Sequence, residues 1–181
     1  MNLFEVEKVV RSVDINLNEK DILNFLKIKR RWPYRYPWGQ PSIEIISENE
    51  ALASKEFFGV DSYFIFEQWH RYYDLGFTTI ISNVLDLNSD LRTLNKRLSD
   101  HTGLSINANF YFSKPGRRAS FDKHNHEYDV IVKQIYGKSH WIIDDKEFVL
   151  KSKDTCVIPK DVYHKVINKN ENKLSLTINI Q

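Results

Sequence analysis

Three histidines in the C-terminal half, His124, His126 and His164, have the types and spacing of a metal site. His124 and His126 are two residues apart at the entrance to an apolar strand pattern, and in extended chain an i, i+2 pair points both imidazoles to one face. His164 follows 38 residues after His126, beyond a segment that reads as a strand ending at Pro159 and turning back. In a small barrel, a strand entering and another leaving at that separation meet across the mouth. Three neutral imidazoles bind a transition metal and leave positions open for other ligands, as catalysis requires. Taken without context, the same residues also suit a solvated pair in the polar turn from Phe121 to Glu127. His70 within a helix, His101 in a last helical turn and His140 at a strand start read as structural.

The elements that must position these residues divide the chain in two. From Ser105 onward, strands of five to ten residues alternate with short polar turns: Ser105–Ser113, Tyr128–Tyr136, His140–Asp144, Glu147–Lys151, Thr155–Pro159, His164–Asn168 and Leu174–Ile180. Strands this closely spaced imply an antiparallel sandwich or barrel. The first hundred residues carry helix punctuation instead. Asn18 with Asp21 resembles a capping box for a helix to Lys27, a second helix runs from about Phe64 to Leu75 before Gly76, and Ser89 can cap a third that Gly103 closes. Thr79–Leu85 reads as a strand between them. The expectation is one domain over 1–181, mostly helical through 103 and a β-barrel core from 104.

Parity then selects the inward residues. Tyr128, Val130, Val132, Gln134 and Tyr136 share the face of the two histidines unless a bulge intervenes. Gln134 and Tyr136, with Asn109 and Tyr111 on a neighbouring strand, are candidates to hydrogen-bond a co-substrate or substrate. Asp129 has the wrong parity for a ligand, and Glu127 replaces a histidine only if the strand starts irregularly.

Composition bounds the function. With 26 Lys+Arg against 24 Asp+Glu the net charge is +2, so no global field draws nucleic acid or anionic lipid. No run approaches the roughly 18 apolar residues of a membrane helix. A single cysteine, Cys156, and a charge-interrupted N-terminus point to a cytoplasmic protein. Six glycines and no glycine-rich phosphate loop leave a nucleotide-binding enzyme without support. The stretch Lys27–Gly39 interleaves basic and aromatic residues, but five basic side chains make a modest patch, and a loop packed over the barrel or along a substrate groove is the preferred reading over nucleic acid.

Asp154, Pro159-Lys-Asp161, His164 and Asn168 resemble the second motif of the cupin superfamily, with its turn, metal-binding His and following Asn. The segment His124-Asn-His126, Gln134, Gly137 and Trp141 resembles the JmjC group, and Asn107-Ala-Asn109-Phe-Tyr111 with Pro115-Gly116 resembles the strand that precedes that motif in ribosomal-oxygenase-like members. The resemblance spans Gly76 to Gln181, is loose before that, and implies a core without the longer C-terminal domains of ribosomal oxygenases.

It implies a mainly β (α+β) fold, a double-stranded β-helix or jelly-roll barrel with N-terminal helices packed outside. It further implies iron(II), dioxygen and 2-oxoglutarate, hydroxylation of a protein, peptide or small-molecule substrate, and His124, His126 and His164 as metal ligands and catalytic centre. Asn109, Tyr111, Gln134, Lys138 and Asn168 are the cofactor-binding candidates. Two departures stand out. His126 occupies the place of the family carboxylate, and Ser139 the place of the Lys or Arg that grips the far carboxylate of 2-oxoglutarate. Lys138, His140, Arg117 or Arg118 are the candidate replacements. The departures keep two alternatives open: a three-histidine dioxygenase without 2-oxoglutarate, and a non-catalytic cupin-like binding module. Neither a membrane nor nucleic acid is an expected partner, and exposed strand edges permit a homodimer.

Overall fold

The computed structural model describes residues 2–115, 121–167 and 171–180. Four helices, α1 (Leu3–Ser12), α2 (Glu19–Lys27), α3 (Phe66–Asp74) and α4 (Ser89–Thr102), accompany ten strands. The strands are β1 (Ile43–Ser47), β2 (Glu50–Ala51), β3 (Thr78–Ile81), β4 (Asn107–Ser113), β5 (Asp129–Tyr136), β6 (Ser139–Ile143), β7 (Lys146–Leu150), β8 (Thr155–Ile158), β9 (His164–Ile167) and β10 (Lys173–Ile180). They form a seven-stranded sheet, β2-β1-β3-β4-β10-β5-β8, and a three-stranded sheet, β7-β6-β9. Every pairing is antiparallel. The architecture is an antiparallel jelly-roll barrel with helices outside.

Local signals explain most boundaries. The capping box of α2 forms as the sequence predicts, with Asn18 and Asp21 each accepting from the other's backbone. The helix α4 starts one residue early: Asn88, not Ser89, is the cap, its Oδ1 accepting from Leu91 N at 2.9 Å. Gly103, at φ 70°, closes it. The expected strand Thr79–Leu85 stops at Ile81, because Asn83 turns left-handed and Val84–Asp86 winds into a 3₁₀ turn. Helix α1 and the β1–β2 hairpin were not expected. That hairpin turns through Glu48 and Asn49, both at positive φ, a geometry that two non-glycine residues do not advertise. The Asp144-Asp145 turn between β6 and β7 has the same form.

The large sheet separates two apolar clusters. Its outer face carries Phe110, Phe112, Ile131, Leu174, Leu176 and Ile178, packed with helix residues such as Val6, Val10, Trp69 and Leu94. Each such side chain contributes on the order of 1.5–3 kcal/mol by burial. Its inner face meets the small sheet in a smaller cluster, Val130, Val132 and Ile158 against Trp141 and Leu150, with partly buried residues such as Tyr128, Phe148 and Val166 packed on it. Gly137 sets the β5–β6 turn at φ 69°, and a Cβ there would lie 2.1 Å from the Asn172 carbonyl oxygen, so the turn requires glycine.

Candidate metal centre and its cavity

His124 and His164 face each other in an antiparallel bridge: His124 N donates to His164 O at 3.0 Å and His164 N to His124 O at 2.8 Å. Asp161 N donates to His126 O at 2.7 Å and ties the third histidine to the same turn. One ligand atom from each imidazole lies within 4.8 Å of the other two. Chain reversal at Pro159–Val162 therefore brings residues 38 apart in sequence onto one point, while the i, i+2 pair supplies the rest.

The surroundings keep the rings ready to bind a cation. His124 Nδ1 contacts the Asp122 carbonyl at 2.7 Å and His164 Nδ1 the Val162 carbonyl at 3.1 Å. A carbonyl only accepts, so each Nδ1 carries the proton and each Nε2 presents a lone pair. Burial first, then the neighbouring histidines His164 and His124, pushes His126 down to about 4. Burial likewise lowers His164, with His124 adding to the effect. Both rings are neutral at pH 7, the form that ligates metal. Tyr128 stacks on His126 with ring centroids 5.1 Å apart and planes 11° apart, which fixes that ring's orientation.

Behind the histidines lies a cavity of about 50 Å³, walled by Val130, Val132, Trp141 and Ile158. Tyr111 lines it, and so does Lys173, which sequence reasoning missed. Lys173 is only 4% exposed, and among the described residues no hydrogen bond or ion pair holds its ammonium. Burial pushes its ammonium down to about 8. The signal was present in strand β10, where Lys173, Ser175, Thr177 and Asn179 alternate with Leu174, Leu176, Ile178 and Ile180. The apolar set belongs to the outer cluster, so the polar set faces inward. Reading the strand from Leu174 left out its first inward residue.

The other candidates fall elsewhere. Gln134 has the inward parity, but its amide is consumed by the protein: Nε2 donates to Tyr136 O and Leu174 O, and Oε1 accepts from Ser139 and Ser175. It is a structural brace, not a free co-substrate contact. Ser139, at the place of the family clamp, is locked by that bond and by Trp141 Nε1. Lys138 is exposed, 3.4 Å from Glu171, and does not line the cavity. His140 takes the other face of β6 from the cavity-lining Trp141. Tyr136 turns outward because the pairing of β5 with β10 shifts register between Gln134 and Tyr136. Asn109 accepts from Gln40 Nε2 at 3.2 Å and lines a neighbouring groove instead of the cavity. Arg117, Arg118 and Asn168 lie outside the described residues.

The donor set fits a divalent first-row metal: three imidazoles, two of them with Nε2 free, no carboxylate among the described residues of the cluster, and open space on the cavity side. Among the described residues, no helix is long and apolar enough to cross a membrane.

Residues 86–155 match the family model of the JmjC domain. No curated protein matches the chain. Solved structures with a similar fold include a cupin 2 conserved barrel domain protein from Leptotrichia buccalis (24% identity, 42% of this chain and 36% of that one, TM-score 0.39). A cupin superfamily protein from Desulfitobacterium hafniense aligns at 16% identity over 41% of this chain and 66% of that one, with TM-score 0.38. The DMSP lyase DddQ from Ruegeria pomeroyi aligns at 14% identity over 42% of this chain and 38% of that one, with TM-score 0.39. The aligned part thus spans less than two thirds of each of these chains.

Proposed function

We propose that this chain, whose residues 86–155 match the JmjC domain, is an iron(II)-dependent, dioxygen-activating oxygenase that uses 2-oxoglutarate to hydroxylate a protein, peptide or small molecule. The observation that carries the reading is the convergence of His124, His126 and His164, within 4.8 Å, on a cavity whose other charged wall is the unpartnered Lys173. Iron(II) with 2-oxoglutarate supplies the chemistry: with dioxygen it yields succinate, carbon dioxide and one oxygen atom inserted into a C–H bond.

The chain's own residues do the rest. The Nε2 atoms of the three histidines hold the metal, and the carbonyls of Asp122 and Val162 hold two of the rings in the binding tautomer. Lys173 sits at the start of β10, the end away from Asn179 and its partner Val130, and so away from the histidines that precede β5. That separation suits a ligand whose 2-oxo acid head chelates metal and whose far carboxylate meets the ammonium. It also replaces the clamp absent at Ser139. Val130, Val132 and Ile158 keep water from the reacting end.

Anaerobic reconstitution with iron(II) and 2-oxoglutarate tests this directly. One iron per chain and a visible charge-transfer band on adding 2-oxoglutarate are expected, followed in air by succinate. Iron binding without succinate under any substrate would reject the 2-oxoglutarate assignment. One observation favours a second reading, a three-histidine dioxygenase whose substrate itself chelates the metal: no carboxylate stands in the ligand set. Oxygen uptake with a small chelator and no 2-oxoglutarate would select it.

A further inference from the structure

The basic and aromatic stretch Lys27–Gly39 takes no part in the metal centre. Its first aromatics pack as a covering loop should: Trp32 is buried edge-on to Phe25, and Tyr34 meets Phe58 edge-on while its hydroxyl donates to the Gly59 carbonyl. Beyond Tyr34 the chain forms a small hairpin. Arg35 bridges Pro41, and Tyr36 N donates to Gln40 O and Gly39 N to Tyr36 O, both at 2.8 Å. Near its tip Trp38 stacks on Tyr36 with ring centroids 4.8 Å apart and planes 1° apart, yet Trp38 is 62% exposed. One indole face rests on the phenol and the other meets solvent, whereas Trp32, Trp69 and Trp141 are all buried.

The charge beside this stack is uncompensated. From Ile22 to Ile43 the sequence holds Lys27, Lys29, Arg30, Arg31 and Arg35 and no Asp or Glu. Among the described residues none of these cations is in an ion pair, although Lys8, Arg11, Lys96, Lys123 and Lys153 are. Glu44 feels the field of Arg35 but forms no ion pair with it. Rings and a carbonyl hold the array instead: Lys27 lies over Phe66, Lys29 over Tyr63 and Arg30 over Trp32 at 3.7 Å, and Arg35 Nη1 donates to Gly39 O at 2.7 Å. Such contacts order a cation without cancelling its charge. Arg30 lies within electrostatic reach of Tyr36 and Arg35 belongs to the hairpin, so the ordered cations run up to the stack. Salt confines each charge to about 8 Å, so this array outweighs the small net charge of the whole chain. An acidic peptide would meet the cations and leave the indole face bare, and an anionic bilayer offers that face no planar partner. A strand of phosphates carrying unpaired bases satisfies both.

We propose that Lys29, Arg31, Arg35 and the Tyr36–Trp38 stack form a binding surface for single-stranded nucleic acid, the cations meeting phosphates and Trp38 stacking on a base. The surface stands apart from the histidine centre and does not rest on the oxygenase reading. It corrects the expectation that the whole stretch is a packed loop: that holds through Tyr34 and fails at Trp38.

The test is fluorescence anisotropy of a labelled oligo(dT) of about 12 nucleotides, a length within the site sizes of single-strand binders, with the full chain. Tryptophan emission is followed in parallel, because the exposed Trp38 reports stacking. Saturable binding with quenched emission is expected, and weaker binding of the same strand paired with oligo(dA), of hexaglutamate and of phosphatidylserine vesicles. W38L, which keeps apolar bulk but no ring, is expected to weaken the single strand at least about 5-fold, and W38F, which keeps a ring, less than about 3-fold. K29A/R31A should lower the slope of log affinity against log salt by about 1.4, at about 0.7 for each phosphate contact on a single strand. Melting temperatures equal to the parent's establish that the variants are folded. No binding, a duplex bound as tightly as the single strand, an unchanged affinity in W38L or an unchanged salt slope in K29A/R31A would overturn the proposal. Hexaglutamate or vesicles bound more tightly than the oligonucleotide would also overturn it and reassign the surface to an acidic protein or to lipid.

Discussion

The two faces of the seven-stranded sheet obey different rules although the same strands build both. On β10 the outward Leu174, Leu176, Ile178 and Ile180 are all within 4% of full burial in the helix-covered cluster. The inward Lys173, Ser175, Thr177 and Asn179 face a cavity and a groove. The same split divides β4, with Phe110 and Phe112 outward and Asn109 and Tyr111 inward. Stability is concentrated where the helices pack, and the inner face is free to carry polar groups that a packed core would exclude. Substitutions on the two faces should therefore separate folding from binding.

The largest effect expected is on the inner face. H164A removes a buried ligand, and metal affinity should fall by more than about 100-fold, beyond the loss typical of an outer-shell partner. H140A, on the other face of β6, should leave it unchanged. Equilibrium dialysis with zinc checks both, and equal losses would sink the assignment of the centre. On the outer face, L176A should cost about 2–5 kcal/mol in urea unfolding while metal affinity stays within about 3-fold. A metal affinity that collapses with L176A at temperatures where the chain is still folded would show that the two faces are coupled.

Lys173 places the faces in opposition within one strand. Its ammonium, lowered from 10.5 to about 8, is protonated at pH 7 in a site that disfavours charge. The unfolded chain binds that proton more tightly, so stability falls as pH drops from about 10.5 to about 8 and is flat below. At about 1.4 kcal/mol for each tenfold change in the proton equilibrium, the charge costs about 3 kcal/mol at neutral pH. K173M should therefore unfold at higher urea concentration than the parent at pH 7, and lose 2-oxoglutarate binding. A less stable K173M would mean that the ammonium is satisfied inside the barrel.

How much of this was legible in the sequence follows from what each signal depends on. The histidine triad was visible because extended chain imposes a two-residue period, and because a proline marks the reversal before His164. The N-cap of α2 and the C-cap of α4 were visible because Asn18 and Gly103 have local reasons to be there, whereas Ser89 hid Asn88 as the N-cap of α4. Tyr136 was misplaced by a register shift, which one inserted residue produces without any distinctive side chain. Gln134 was placed on the correct face, but its amide is already taken by the carbonyls of Tyr136 and Leu174 and by two serines. Lys173 needed the strand to begin one residue earlier, since it acts through tertiary neighbours and not through its own spacing.

The smallest effect expected is the pH response of the metal-free chain. His126 and His164 lie below their ordinary value of 6.5, His126 at about 4, chiefly through burial and then, for His126, through His164 and His124 and, for His164, through His124. Below pH 6.5 the unfolded chain takes up protons that the folded chain refuses, so stability is fully present above that pH and declines toward pH 4. The melting temperature of the metal-free protein should fall across that window by a few degrees. H126N, which keeps a polar side chain of similar reach but does not titrate, should flatten part of the slope, whereas L176A should lower the whole curve without changing it. A slope unchanged in H126N would remove the inner face from the acid response and leave the outer core as its source. Zinc, binding only the neutral rings, should steepen the acid limb while raising the plateau, because protons then compete with metal as well as with folding.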